Sequence, residues 1–119
     1  MEYFFDNERP IYIQLVEQLR IFIIRGKLKK GDKIPSVREL ASIAGVNPNT
    51  VQKALAELER AGLIYTERTN GKYVTNDEKI IKKFKTTIIE EKLANFMSDM
   101  EKIGISNQEI IEYLQRKWE

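Results

Sequence analysis

The 119-residue sequence predicts an α+β chain: three helices and a β-hairpin forming a winged helix-turn-helix, then a C-terminal α-hairpin. Three observations predict it. Residues 36–61, SVRELASIAGVNPNTVQKALAELERA, read as two capped helices joined by a tight turn that contains a glycine. Residues 63–75 read as two short strands around Asn70-Gly71, a strong hairpin signal. From residue 77 onward, apolar residues recur at helical spacing until Gly104, and a second capped helix follows. The expected division is 1–76 for the winged helix and 77–119 for the two-helix tail.

Taken in order, residues 1–9 form an extended arm that Tyr3, Phe4 and Phe5 can anchor. Arg9-Pro10 marks a boundary, because a residue before proline avoids the helical region. A helix is expected from Ile11 to about Arg25, with Tyr12, Leu15, Val16, Leu19 and Ile23 on one face. Ile13, Phe22 and Ile24 lie off that face, a second strip for another element or subunit to bury. Residues 26–35 are a loop in which Leu28 and Ile34 tuck onto the core. Its four lysines are either solvated or meet phosphates.

Ser36 with Glu39 is a capping box, so a helix starts there and carries Val37, Leu40, Ala41 and Ala44 inward. Gly45 closes it, and Val46 fills the corner. Asn47 caps the next helix, and Pro48 sits in its first turn, where a missing N–H costs nothing. Val51, Ala54, Leu55 and Leu58 form its buried face, leaving Asn49, Gln52, Lys53 and Ala56 outside. After Gly62, Leu63–Arg68 and Lys72–Thr75 are the hairpin strands, and the tip from Thr69 to Lys72 is the wing. Asp77 caps a long helix bearing Ile80, Ile81, Phe84, Ile88, Leu93, Phe96, Met97, Met100 and Ile103. Ser106 with Glu109 starts a last helix, with Ile110, Ile111, Leu114 and Trp118 expected inward. Such a hairpin is too small for its own core, so it should pack on the first helix, on a twin, or on both.

Composition excludes much. Without cysteine there are no disulfides, which fits a reducing compartment. Without histidine as well, Ser/His/Asp and Cys/His triads and Cys/His metal sites cannot be built. The carboxylates are scattered or paired with lysines, so no enzyme activity, cofactor or metal is expected. No apolar run reaches membrane-spanning length, and the short acidic N-terminus is unlike a signal peptide, so the expected compartment is the cytoplasm. Residues 1–76 hold twelve Lys/Arg against nine Asp/Glu, and residues 77–119 hold eight against nine. The positive excess lies with the winged helix, which permits a nucleic-acid partner.

A helix-turn-helix sets its second helix in the DNA major groove, N-terminal residues towards the bases. Gln or Asn can bond adenine twice, and Lys can reach guanine or phosphate. Gly71 lets the wing backbone come close to a phosphate or minor-groove edge. The plainer alternative is a winged-helix module that binds protein and not DNA, since any small helical domain exposes polar residues and caps its helices.

Residues 10–76 strongly resemble the DNA-binding domain of GntR-family transcription regulators. The specific parts are Gly31-Asp32, Ile34 to Ala41, Val46 to Val51, Leu58 to Ile64, and the wing ending Gly71-Lys72-Tyr73-Val74. The resemblance implies DNA contact for Arg38, Asn47, Asn49, Thr50, Gln52 and Gly71, and Ser36, Lys53 and Lys72 complete the candidate DNA-binding set. Two departures bear on base preference. Family wings often read Gly-any-Gly-Thr before the aromatic residue, where this chain has Thr69 and Lys72 at the first and last places. Pro48 and Gln52 stand where the family is rich in arginine readers. The short tail resembles the YtrA subfamily, in which it serves dimerisation and whose members are often repressors of ABC-transporter genes. The resemblance thus implies a homodimeric repressor on a palindromic operator in double-stranded DNA. The methionines and aromatic residues of the tail could line a pocket for a small-molecule effector, although such a stripe more often forms core or interface.

Overall fold

Among residues 1–118, which the computed structural model describes, five helices and two strands follow one another. They are α1 (Ile11–Ile24), α2 (Val37–Ala44), α3 (Pro48–Arg60), β1 (Ile64–Glu67), β2 (Gly71–Val74), α4 (Glu78–Lys102) and α5 (Asn107–Trp118). This is the expected α+β winged helix-turn-helix with two C-terminal helices. The chain divides into two compact units, residues 1–84 and residues 85 onward, so the start of α4 counts with the winged helix.

Local chemistry sets the helix ends. Ser36 Oγ accepts the Glu39 N–H at 3.1 Å, and the Glu39 carboxylate accepts the Ser36 N–H at 3.3 Å, completing the capping box of α2. Gly45 ends α2 with φ 69°, a left-handed value that a side chain would oppose. Asn47 Oδ1 accepts the Asn49 N–H at 2.8 Å, and Pro48 opens α3. The core gathers Leu15, Leu19 and Ile23 of α1, Leu40 of α2, and Val51, Ala54, Leu55 and Leu58 of α3. Leu63, Ile64 and Val74 of the hairpin join it, with Leu28 and Ile34 of the loop tucked in as expected.

The N-terminal arm is held more closely than its composition suggests. The buried Gln14 amide accepts from the Asp6 N–H (2.9 Å) and donates to the Asp6 and Arg9 carbonyls (3.0 and 2.8 Å). Gln18 pairs with both the N–H and the carbonyl of Phe4 (3.0 and 2.6 Å). Two side-chain amides on one face of α1 thus stand in for a neighbouring strand. Tyr3 is brought edge-on to Phe22, with ring centroids 5.3 Å apart. Phe22 of the second strip is therefore a core residue, covered by another element of the same chain, its arm.

The hairpin is one step shorter than expected. Its register pairs Ile64 with Val74 and Glu67 with Gly71, which leaves Arg68, Thr69 and Asn70 as the loop. The wing tip is thus residues 68–70, and Gly71 begins β2 with φ 104°. Burial of Ile64 and Val74 and the tilted Tyr65–Tyr73 pair on the other face set this pairing. The loop before α2 lies along the outer edge of β2: the Ile34 N–H donates to the Lys72 carbonyl and the Val74 N–H to the Asp32 carbonyl, both at 2.8 Å.

At its start α4 lays Ile80, Ile81 and Phe84 on the core, and Arg20 lies over the Phe84 ring at 5.3 Å. Asp77 caps α4 through the Lys79 N–H, and the Ser106–Glu109 box starts α5. The inward positions expected in α5 are corrected: Ile111, Leu114 and Trp118 are 48%, 51% and 79% exposed. Two helices alone have no third surface to cover them.

Replacing Gln14 by leucine keeps the volume and strands three backbone groups of the arm. Gln14→Leu is expected to cost about 1–3 kcal/mol, read as a lower urea midpoint, and to speed hydrogen exchange at the Asp6 amide. An unchanged midpoint with a protected amide would show that the arm is held by other means.

Candidate nucleic-acid interface

Four buried residues of α3, Val51, Ala54, Leu55 and Leu58, fix its rotation. The opposite stripe, Asn49, Gln52, Lys53 and Ala56, is exposed. Among the described residues, the Asn49 and Gln52 side-chain amides and the Arg38 guanidinium have no hydrogen-bond or ion-pair partner, so their donors and acceptors stay open to a ligand. The first turn of α3 carries no acidic residue, so the positive end of its dipole is not offset there.

Other expected residues serve the fold as well. Ser36 spends its hydroxyl on the α2 cap, and Asn47 spends its side-chain oxygen on the α3 cap. Thr50 is half-buried, with its N–H on the Asn47 carbonyl. Lys53 holds its ammonium 3.9 Å from the centre of the Tyr12 ring. Ile11, Tyr12, Asn49, Thr50 and Lys53 line a shallow groove of about 400 Å³ beside the start of α3. Gly71 lies against Lys33, whose Cε would be 3.4 Å from an added β-carbon.

Lys72 turns back onto the protein. Its ammonium donates to Glu59 Oε2 at 3.0 Å and to Thr66 Oγ1 at 2.8 Å. The Thr66 hydroxyl donates to Glu59 Oε1. Hydrogen bonds from Thr66 first, and then from Lys72, hold the Glu59 carboxyl below its ordinary range. In the loop before α2, Lys30 is likewise paired, with Glu78.

Sequence reasoning missed Tyr12, Glu59 and Arg68. Tyr12 read as a core residue of α1. Glu59 lies seven residues after Gln52, a spacing that extends the exposed stripe of α3 and could have drawn notice. Arg68 enters the wing tip only through the strand register. Among the described residues no carboxylate cluster is placed to hold a metal ion.

Known proteins share this arrangement. The sequence profile described as bacterial regulatory proteins, gntR family, matches residues 11–74. The chain is 41% identical over 110 residues to the HTH-type transcriptional repressor YtrA of Bacillus subtilis (strain 168), covering 92% of this chain and 85% of that protein. A solved GntR family transcriptional regulator from Listeria monocytogenes superposes with a TM-score of 0.89 at 43% identity, over 94% of this chain and 98% of that one. AraR(DBD), solved in complex with operator ORX1, superposes with a TM-score of 0.58 at 31% identity, over 63% of this chain and 96% of that one.

The depressed Glu59 carboxyl has a pH consequence. Its contribution to stability is complete above the ordinary glutamate value and is lost as pH falls through the lowered folded value. Glu59→Gln is therefore expected to lower the urea midpoint near neutral pH, with the gap to the parent closing in acid. A gap that is constant with pH would mean that the charge on Glu59 contributes nothing.

Proposed function

The chain belongs to the gntR family of bacterial regulatory proteins, and from that premise we propose that it is a homodimeric repressor acting on a roughly palindromic operator. The family and the relatives are transcription regulators, not enzymes. The outer stripe of α3 carries this reading: Asn49 and Gln52 are exposed and unpartnered at the front of a helix whose other face is locked into the core. In the proposed complex α3 enters the major groove, Gln52 and Asn49 meet base edges, and Arg38, Thr50 and Lys53 meet phosphates or bases. Ser36 and Asn47 present cap groups to the backbone, and Gly71 lets the wing come close to it. A relative of this fold solved on its operator supports the arrangement.

The tail supports the dimer. In a single chain Leu93, Phe96, Ile111, Leu114 and Trp118 are exposed, and an apolar groove of about 640 Å³ runs between α4 and α5. A second copy would bury this surface, at about 25 cal/mol per Å² of apolar area removed from water. Two-fold symmetry then sets two α3 helices on half-sites about one helical turn apart. The same groove is where an apolar small-molecule effector would enter. Occupancy of the operator would block polymerase, and the genes we propose as targets are those of ABC transporters, as the likeness to YtrA suggests. No helix among the described residues is long and apolar enough to cross a membrane.

Selection of bound duplexes from a random library tests the reading and is expected to return an inverted repeat. On the selected site, Gln52→Ala should weaken binding by about 1–3 kcal/mol and relax preference at one base pair per half-site. Equal binding of selected and scrambled duplexes by the parent would overturn sequence recognition. For the dimer, Leu114→Asp should convert a two-chain species to single chains in sedimentation, and a parent already monomeric at assay concentrations would refute it.

A further inference from the structure

Thr66 and Lys72 are directly opposed across the hairpin, so their side chains share one face. Glu59, in the last turn of α3, meets them there. The three groups close a ring in which every polar atom is matched. Lys72 Nζ gives to Glu59 Oε2 and to Thr66 Oγ1, Thr66 gives to Glu59 Oε1, and both carboxylate oxygens are used. The ring joins a helix to a strand thirteen residues away from it in sequence. Glu59 also follows Gln52 by seven residues, so it ends the same stripe that Asn49 and Gln52 begin.

We propose that Glu59 is a positioning residue for DNA binding. It anchors the wing to the C-terminal end of α3 through Thr66 and Lys72, and Lys72 therefore acts inside the protein and not on a phosphate. The proposal rests on the reading of α3 and the wing as the DNA surface. Its logic is geometric: a duplex meets helix and wing together, so the angle between them must be fixed before binding for the ordering cost to be small. Family wings often carry threonine where this chain has Lys72. A threonine has no ammonium to give, so the clamp belongs to this chain's own sequence.

Four single variants of the full chain and one double variant test it: Glu59→Gln, Thr66→Val, Lys72→Met, Lys72→Arg and Thr66→Val/Lys72→Met. Binding to a short random-sequence duplex is followed by fluorescence anisotropy over a salt series. Hydrogen exchange of the amides in residues 65–73 is followed without DNA. Thr66→Val changes no charge, so any effect on binding must come through geometry. It is expected to weaken binding roughly three- to tenfold, and Lys72→Met should do the same with the salt slope unchanged. The Thr66→Val/Lys72→Met double variant should be no weaker than either single one. Lys72→Arg should keep parental binding, and the wing amides should exchange faster in Glu59→Gln, Thr66→Val and Lys72→Met. A fall of about one in the salt slope for Lys72→Met, with Thr66→Val binding as the parent does, would make Lys72 a phosphate ligand and overturn the proposal. Unchanged wing exchange in Glu59→Gln would overturn the positioning role by itself. A parent that binds no duplex would instead overturn the reading on which the proposal rests.

Discussion

The α3 helix has to satisfy two surfaces at once, and the rest of the winged helix follows from how it does so. Val51, Ala54, Leu55 and Leu58 are almost wholly removed from water, so the helix cannot rotate without dragging one of them out. Burying a leucine side chain is worth about 1.5–3 kcal/mol, far more than any gain from turning an amide by one position. This burial is what makes the outer stripe dependable. Asn49 and Gln52 stand where they do because Val51, Ala54 and Leu55, on the other face of the same helix, are held in the core with α1 and the hairpin. The proposed recognition surface, built of flexible side chains, would inherit its rigidity from the apolar packing behind it.

What could be read from the sequence was what depends on near neighbours. The α2 capping box, the Gly45 stop, the Asn47-Pro48 start and the buried face of α3 are all decided within four residues of each other, and all occur where the chemistry predicts. The hairpin was legible as a hairpin, but its tip was not. Asn70-Gly71 favours a tight turn locally, whereas the pairing of Ile64 with Val74 and Tyr65 with Tyr73 sets the count of loop residues from the far end. The arm's aromatic anchors Tyr3 and Phe5 were legible, but its hydrogen-bonded latch was not, for a related reason. Gln14 and Gln18 recognise backbone, and backbone carries no signature in sequence. The Glu59–Thr66–Lys72 ring joins residues that only the fold brings together, so Lys72 read as a free cation beside the duplex when it has a partner within the chain.

A division of labour emerges among the polar residues of the candidate interface. Ser36, Asn47 and Lys72 meet needs of the protein itself: two helix caps and a clamp. Arg38, Asn49 and Gln52 meet none, since their side chains have no partner among the described residues. An unpartnered polar group at the surface costs nothing while water solvates it, and turning it towards a base exchanges water for the base without breaking a bond of the fold. A group already bonded within the fold must first give that bond up. In the proposed complex, base discrimination would fall to the second set, and orientation of helix and wing to the first.

The tail presents the converse problem. Its helices are well capped at Asp77 and at Ser106, so each is locally specified, yet among the described residues from Lys85 onward no side chain is fully buried. Capping and propensity contribute a few kcal/mol at most to such a pair, and most helical stability in proteins comes from packing an apolar face. A hairpin that keeps Leu114 half exposed and Trp118 largely so lacks that packing within one chain. In the proposed dimer the missing contacts come from the twin, and the order of the tail becomes tied to the same two-fold axis that sets the spacing of the two α3 helices. Folding of the tail and pitch of the readers would then be one equilibrium, so a molecule that entered the groove between α4 and α5 would act on DNA binding through the dimer without touching the recognition helix.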